Sequence, residues 1–251
     1  MIVIEKKFDG YNSVRADWLS PFVCVTVQAG CAVGCSFCPA GQVAARTLTK
    51  EQILEQIHAH LDGTEKSLMV GMRSGDFAIA PTAMVDAMNE INKTVPTHAF
   101  YLTALPKLPA ATYARAVDEA LRSEGGYSLR VSLGTMNADG GRTYGKMDLA
   151  PFSDALKFMK MATEKTGRQT EVGLIVSADQ PPAYDLLKQL PEGTYIAIDP
   201  LRDHHDQGIV DAKPAFAAAD RLRDMGFVVD VYHWGMEPAD ERRMYLLEYV
   251  K

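Results

Sequence analysis

The chain has 251 residues, 47% of them hydrophobic and 23% charged, with a formal net charge of −6 and a pI near 5.5. That is enough apolar material for one sizeable core, and no stretch approaches the roughly 20 uninterrupted apolar residues of a membrane span. The acidic balance and the scattered lysines and arginines argue against a surface that grips a phosphate backbone along its length, leaving room only for a local basic groove. Met1-Ile2-Val3-Ile4 runs straight into Glu5-Lys6-Lys7 without a signal-peptide pattern, so the expectation is a single cytoplasmic domain over 1–251 with no membrane partner.

Residues 1–20 read as an N-terminal extension. The first β-rich run, 22–28, contains Cys24, which its apolar neighbours mark as a buried small side chain. That run feeds directly into Gly30-Cys31-Ala32-Val33-Gly34-Cys35-Ser36-Phe37-Cys38-Pro39. Three thiolates can hold three irons of a 4Fe-4S cubane and leave the fourth without a protein ligand, open to a substrate or cofactor. Zinc normally takes four ligands at two-plus-two spacing, and no Cys-x-x-Cys or His-x-x-x-His pair follows. A disulfide suits a reducing compartment poorly.

Further along, Thr49-Lys50-Glu51-Gln52 offers a capping box at the head of a helix. His58 and His60 fall in that helix, away from any strand end, and read as structural or surface residues. Strands follow at 66–72, 98–103, 128–133, 171–177 and 194–199, with a further run at 227–232. Helices lie between them: Pro81 and Pro109 mark starts, and Gly226 closes a helix over 214–225. Residues 234–251 are expected to form a C-terminal helical tail. The alternation is that of repeated βα units around a parallel sheet, and periodicity alone fits a partial barrel or a doubly wound sheet equally. Either topology gathers chemistry at the carboxyl ends of the strands, where the cysteine loop lies. His204-His205-Asp206 and His233-Trp234 fall on the same side, as an acid-base or metal set or as solvated loop residues.

The Cys-x-x-x-Cys-x-x-Cys spacing, with Phe37 before the last cysteine, resembles the radical S-adenosylmethionine (SAM) superfamily. The resemblance implies an α/β fold, the partial (β/α)6 TIM-like barrel of the radical SAM type. It also implies a 4Fe-4S cluster on Cys31, Cys35 and Cys38, whose free iron chelates the amino and carboxylate groups of SAM. An electron from a donor such as flavodoxin or ferredoxin then breaks the sulfonium bond to give a 5′-deoxyadenosyl radical. Within the superfamily, Cys24 to Cys38 looks like the RlmN/Cfr family of RNA adenine methyltransferases, which carries a cysteine seven residues before the first cluster ligand, the place of Cys24. The similarity continues through Gly41-Gln42, Arg46-Thr47-Leu48-Thr49 and the helix from Glu51 to Ile57. Val70-Gly71-Met72-Arg73-Ser74-Gly75-Asp76, Leu129-Arg130-Val131-Ser132-Leu133 and Ile198-Asp199-Pro200 keep the order of that family's later motifs. Two departures matter. With four cysteines in all, none is left for the family's C-terminal methyl carrier, and the helical N-terminal domain has no counterpart in the roughly two dozen residues before the first parallel strand.

By the same resemblance, Phe37 stacks on the adenine of SAM or packs under the loop. Gly75 permits close backbone approach and Asp76 pairs with the SAM ammonium, although an ordinary βα turn also uses Gly-Asp. Thr103 and Ser132 hydrogen-bond the ribose or carboxylate of SAM, or else their own backbone. Asp199 and Arg202 face adenosine or substrate. Cys24 donates a hydrogen atom or proton to an intermediate, or is simply a buried side chain. The expected function is hydrogen abstraction from, or addition to, a small molecule, nucleoside or short peptide. The rivals are an RlmN/Cfr-type RNA methyltransferase with another methyl carrier, a glycyl-radical activase with a protein partner, and an iron-sulfur or zinc module without SAM chemistry.

Overall fold

The computed structural model describes residues 2–17, 21–35, 38–134, 146–200, 212–231 and 244–249. The chain opens with strands β1 (Ile2–Phe8), β2 (Tyr11–Asp17) and β3 (Pro21–Thr26), followed by a short ribbon of β4 (Gln28–Ala29) and β5 (Arg46–Thr47) around the cysteine loop. Then come α1 (Lys50–His58), β6 (Leu68–Ser74), α2 (Pro81–Asn92), β7 (Thr97–Thr103), α3 (Ala110–Leu121), β8 (Gly126–Gly134) and α4 (Phe152–Thr166). The chain continues through β9 (Glu171–Val176), α5 (Tyr184–Leu187), β10 (Tyr195–Pro200), α6 (Lys213–Asp224), β11 (Val228–Val231) and β12 (Met244–Tyr249).

Strand order separates the two topologies that periodicity left open. The main sheet runs β11-β10-β9-β8-β7-β6-β3-β2-β1-β12, and every neighbouring pair from β3 to β11 is parallel. Each new parallel strand therefore adds on the same side of the last. A doubly wound sheet reverses direction at a switch point, whereas one-way addition with right-handed crossovers puts every helix on one face and lets the sheet curl. The result is a partial barrel.

Alternation along the strands shows which face the helices cover. Val23, Val25, Val70, Ala99, Val131, Val172 and Ile196 are sealed at 1% exposure or less, in one cluster with Ile53 and Ile57 of α1, Met84 of α2, Val117 of α3 and Leu222 of α6. Sealing a large aliphatic side chain is worth roughly 1.5 to 3 kcal/mol, so this layer carries most of the stability. The helix signals are in place. Gln52 N–H donates to Thr49 Oγ1 at 3.3 Å and Thr49 N–H to Gln52 Oε1 at 3.2 Å, Pro81 opens α2 and Pro109 caps α3, and Gly226 turns the chain after α6 with φ +90°.

The N-terminal extension is built of strands, and the C-terminal end differs from expectation. Residues 2–17 form an antiparallel hairpin, β1 on β2, that extends the sheet beyond β3. Phe8 pairs with Tyr11, so Asp9-Gly10 is a two-residue turn, and Gly10 takes φ +78°, a left-handed state open to glycine at no steric cost. At the other end, Met244–Tyr249 is a strand rather than part of a helical tail. Its backbone pairs parallel with β1 from Ile2↔Met244 to Lys7↔Tyr249, satisfying hydrogen-bonding groups that the edge of β1 would otherwise present to solvent.

Candidate functional site

The carboxyl end of β3 is fixed before the cysteines begin. Its pairing with β6 slips between Val25 and Thr26, and the buried Gln56 of α1 satisfies the displaced backbone: Thr26 N–H donates to Gln56 Oε1 (2.8 Å), while Gln56 Nε2 donates to the Thr26 carbonyl (2.9 Å). At the end of β6, the Ser74 hydroxyl lies 2.9 Å from the Gln28 carbonyl and 2.8 Å from that of Gly30. The loop beyond folds shut on itself. A Cβ on Gly30, at φ +75°, would stand 2.6 Å from the Ala44 carbonyl oxygen, and one on Gly41 would stand 2.7 Å from that of Cys35. Cys38 N–H donates to the Cys35 carbonyl (3.1 Å) and Gly41 N–H to that of Cys38 (2.9 Å), so the last two cysteines sit on consecutive turns of one compact structure.

None of the four cysteines is in a disulfide, and all four are half-buried. Burial pushes the Cys31 thiol up. The Cys35 thiol is pushed up to about 12, first by burial and then by the negative charges of Cys38, Cys31 and Asp76. Thiolates that repel one another in a half-buried loop are stabilised by cations, and iron in place of protons supplies them. The donor set fits an iron-sulfur cluster in chemistry and in number. Among the described residues, no three His, Cys, Asp or Glu side chains are grouped as ligands of a single metal ion. Cubane thiolates each take a different iron and do not share one centre. In the metal-free protein, Cys35 should therefore be alkylated slowly at neutral pH, the rate climbing as pH rises toward about 12. Quantitative thiol labelling across pH checks this, and an ordinary neutral-pH rate at Cys35 would contradict it.

Gly75 and Asp76 follow β6 directly. Gly75 has φ +106°, and a Cβ there would stand 2.5 Å from Val27 Cγ2 and 2.9 Å from Gln28 N. Glycine thus lets the end of β6 lie against the stem of the cysteine loop. Gly75→Ala should lower stability by roughly 1 to 3 kcal/mol in a denaturant titration; an unchanged midpoint would show that the contact is dispensable.

Asp76 is 2% exposed. Its Oδ1 accepts from Ala78 N–H (2.9 Å) and from the Thr103 hydroxyl (2.8 Å), and its Oδ2 accepts from Ala104 N–H (2.7 Å). The carboxylate is a brace between the ends of β6 and β7. Three donors of its own chain hold it in that corner. The Thr103 hydroxyl, which also accepts from Leu105 N–H (3.0 Å), serves the same corner. Leu105 is buried with φ +51°, an uncommon backbone state that this network holds. Of the two roles weighed for Thr103, the bond from Leu105 N–H is the backbone contact.

The face opposite the helices is partly polar. Cys24, in the middle of β3, pairs with Gly71 of β6, and a Cβ on Gly71 would stand 3.6 Å from Cys24 Sγ. Phe22 and Phe100 meet edge to face at 5.8 Å between ring centroids. Arg130 lies over Phe100 and Tyr195, 5.8 Å from each centroid, and forks onto Glu171 Oε2 at 2.7 and 3.0 Å. Ser132 sits two residues beyond Arg130 on this face, opposite Gly173. Asp199, opposite Ile175, shares the face by alternation with Tyr195.

No family model matches the chain, and no curated protein matches its sequence. Solved structures do. A radical SAM methyltransferase from Sphaerobacter thermophilus superposes with TM-score 0.65 at 22% identity, over 88% of this chain and 69% of that one. Native anSMEcpe with bound AdoMet gives 0.52 at 12% identity, over 82% of this chain and 62% of that one. Streptococcus suis SuiB gives 0.53 at 11%, over 89% and 57%. The fold is that of radical SAM enzymes. The chain spans less than two thirds of the last two.

In the radical SAM fold the cysteine loop occupies the carboxyl end of the first parallel strand, with Gly75, Asp76 and Thr103 at the ends of the next two. Ser132 and Asp199 lie along the concave face, while Phe37, Arg202, His204, His205, Asp206, His233 and Trp234 lie outside the described residues. His58 is exposed at the end of α1. His60, just past that end, is buried with its Nε2 2.9 Å from Ser13 Oγ, a structural role. The Arg130–Glu171 pair was not foreseen, although Ser128, Arg130 and Ser132 at alternate positions of an otherwise apolar strand mark one polar face. Among the described residues, no helix is long and apolar enough to cross a membrane.

Proposed function

We propose that the protein is a radical SAM enzyme in which Cys31, Cys35 and Cys38 hold a 4Fe-4S cluster. The supporting observation is the loop itself: three free, half-buried thiols closing onto the carboxyl end of the first parallel strand, in a fold shared with radical SAM enzymes. When bound, the cluster and SAM supply reductive cleavage of the sulfonium to a 5′-deoxyadenosyl radical, chemistry that belongs to the cofactors.

The chain positions them. The three thiolates would hold the cluster. Gly75 allows backbone approach beside the loop, and the Asp76–Thr103 brace keeps the ends of β6 and β7 in register with it. In this reading Phe37, Ser132, Asp199 and Arg202 contact SAM or substrate, and Cys24, on the concave face, would donate a hydrogen atom or proton. The substrate is a small molecule, nucleoside or short peptide, and the electron comes from a flavodoxin- or ferredoxin-class donor. The net charge of −6 favours these substrates over RNA.

Anaerobic reconstitution with iron and sulfide, reduction and addition of SAM should yield 5′-deoxyadenosine. S-adenosylhomocysteine alongside it would assign methyl transfer to the same site. Stoichiometric zinc with no brown chromophore in anaerobically purified protein would overturn the proposal.

A further inference from the structure

The segment that leads into α4 runs beside the cysteine loop, and nothing in the roles assigned above uses it. Lys146 N–H donates to the Gly34 carbonyl and Met147 N–H to that of Val33, both at 3.2 Å. On the other side, Lys107 N–H donates to the Asp148 carbonyl (2.7 Å) and Ala150 N–H to that of Leu105 (2.8 Å). Residues 146–150 therefore strap the cysteine loop to the end of β7. Leu149 and Val33 are buried together, with Cys31, Cys35, Ile79 and Ala104 packed against them.

The side chain of Lys146 adds two contacts. Its stem lies over Gly34, where φ is +68° and a Cβ would stand 2.9 Å from both Cβ and Cγ of the lysine. Its Nζ donates to the Gly41 carbonyl at 3.1 Å, and Gly41 in turn packs on the Cys35 backbone. From Gly30 to Gln42 the loop contains no Lys, Arg, His, Asp or Glu. Lys146 sets a cation against a segment that has none of its own.

We infer that Lys146 is a positioning residue for the iron-sulfur cluster, its stem covering Gly34 and its ammonium fixing the turn after Cys38 and placing positive charge beside the cluster. This rests on the function proposed above. Three thiolates and a cubane core make an anionic group, and reduction adds another negative charge. A nearby cation stabilises the reduced form more than the oxidised one and raises the reduction potential. The buried Asp76 carboxylate acts in the opposite sense, so the lysine offsets it.

The test compares the parent with Lys146→Met, which keeps most of the stem without the charge, and Lys146→Arg, which keeps charge and donor. Each is reconstituted anaerobically, assayed for iron and sulfide per chain, and titrated by electron paramagnetic resonance for the midpoint potential. The expected result is a more negative potential in Lys146→Met and a parental one in Lys146→Arg, with thermal unfolding of the metal-free proteins unchanged. Loss of iron from Lys146→Met with retention in Lys146→Arg supports the same role. Equal potentials in the parent and Lys146→Met, or equal iron loss in both variants, would overturn it. A parent that takes up no cluster would instead overturn the function on which it rests.

Discussion

Replacing Cys31, Cys35 or Cys38 singly by alanine should give a folded chain that binds almost no iron and forms no 5′-deoxyadenosine, whereas Cys24→Ala should retain the iron of the parent. In the proposed cluster each of the three thiolates would hold a different iron, so the loss should exceed the roughly 10- to 100-fold penalty typical of removing an outer-shell partner. Folding should survive, because the loop lies outside the sealed layer of Val23, Val70, Val131 and Ile196. Truncating a half-buried cysteine removes little apolar surface, about 1 kcal/mol or less. Iron and sulfide analysis beside a denaturation curve separates the two effects. Iron retained by any of the three variants would remove that cysteine from the ligand set.

The second large effect is expected at Asp76. Asp76→Ala leaves the Ala78 and Ala104 N–H groups and the Thr103 hydroxyl without their acceptor in a buried corner. Each stranded donor costs about 1 to 3 kcal/mol, and because the three share one network the expected total is roughly 3 to 5 kcal/mol. Asp76→Asn keeps the shape but turns an N–H group toward a donor, so it should lose about 1 to 3 kcal/mol. Both variants should also bind less iron, since the brace borders the wall on which Cys31 and Cys35 pack. A denaturant midpoint within about 0.5 kcal/mol of the parent in Asp76→Ala, the range of an ordinary surface substitution, would show that the carboxylate braces nothing.

Much of this was legible in the sequence because the signals are local. The strands at 98–103, 171–177 and 194–199 lie within a residue or two of β7, β9 and β10, since buried parallel strands read as apolar runs between helix caps. The capping box at Thr49 and the cysteine spacing are likewise contained in a few residues. Direction of strand addition was not local. Nothing in periodicity distinguishes a sheet built one way from one that reverses.

The hairpin at the start carried a signal in Asp9-Gly10, with Phe8 and Tyr11 stacked across the turn at 5.1 Å between centroids; the charged run Glu5-Lys6-Lys7 masks the strand. Met244–Tyr249 has the composition of either a strand or a helix, and its partner β1 lies at the far end of the chain. The same reason hides the bracing side chains. Asp76 meets Thr103 across 27 positions, Arg130 meets Glu171 across 41, and Lys146 reaches Gly41 across 105. A Gly-Asp turn looks the same in sequence whether its carboxylate holds a cofactor or a neighbouring strand.

The most direct measurement is the electron paramagnetic resonance spectrum of the reduced, reconstituted protein before and after addition of SAM. A cluster with one iron free of protein ligands should give a signal whose g-values shift when SAM is added, and it should vanish in Cys35→Ala. A spectrum indifferent to SAM, or a colourless protein holding one tetrahedral zinc per chain, would contradict the assignment of Cys31, Cys35 and Cys38 to a cluster with an open iron.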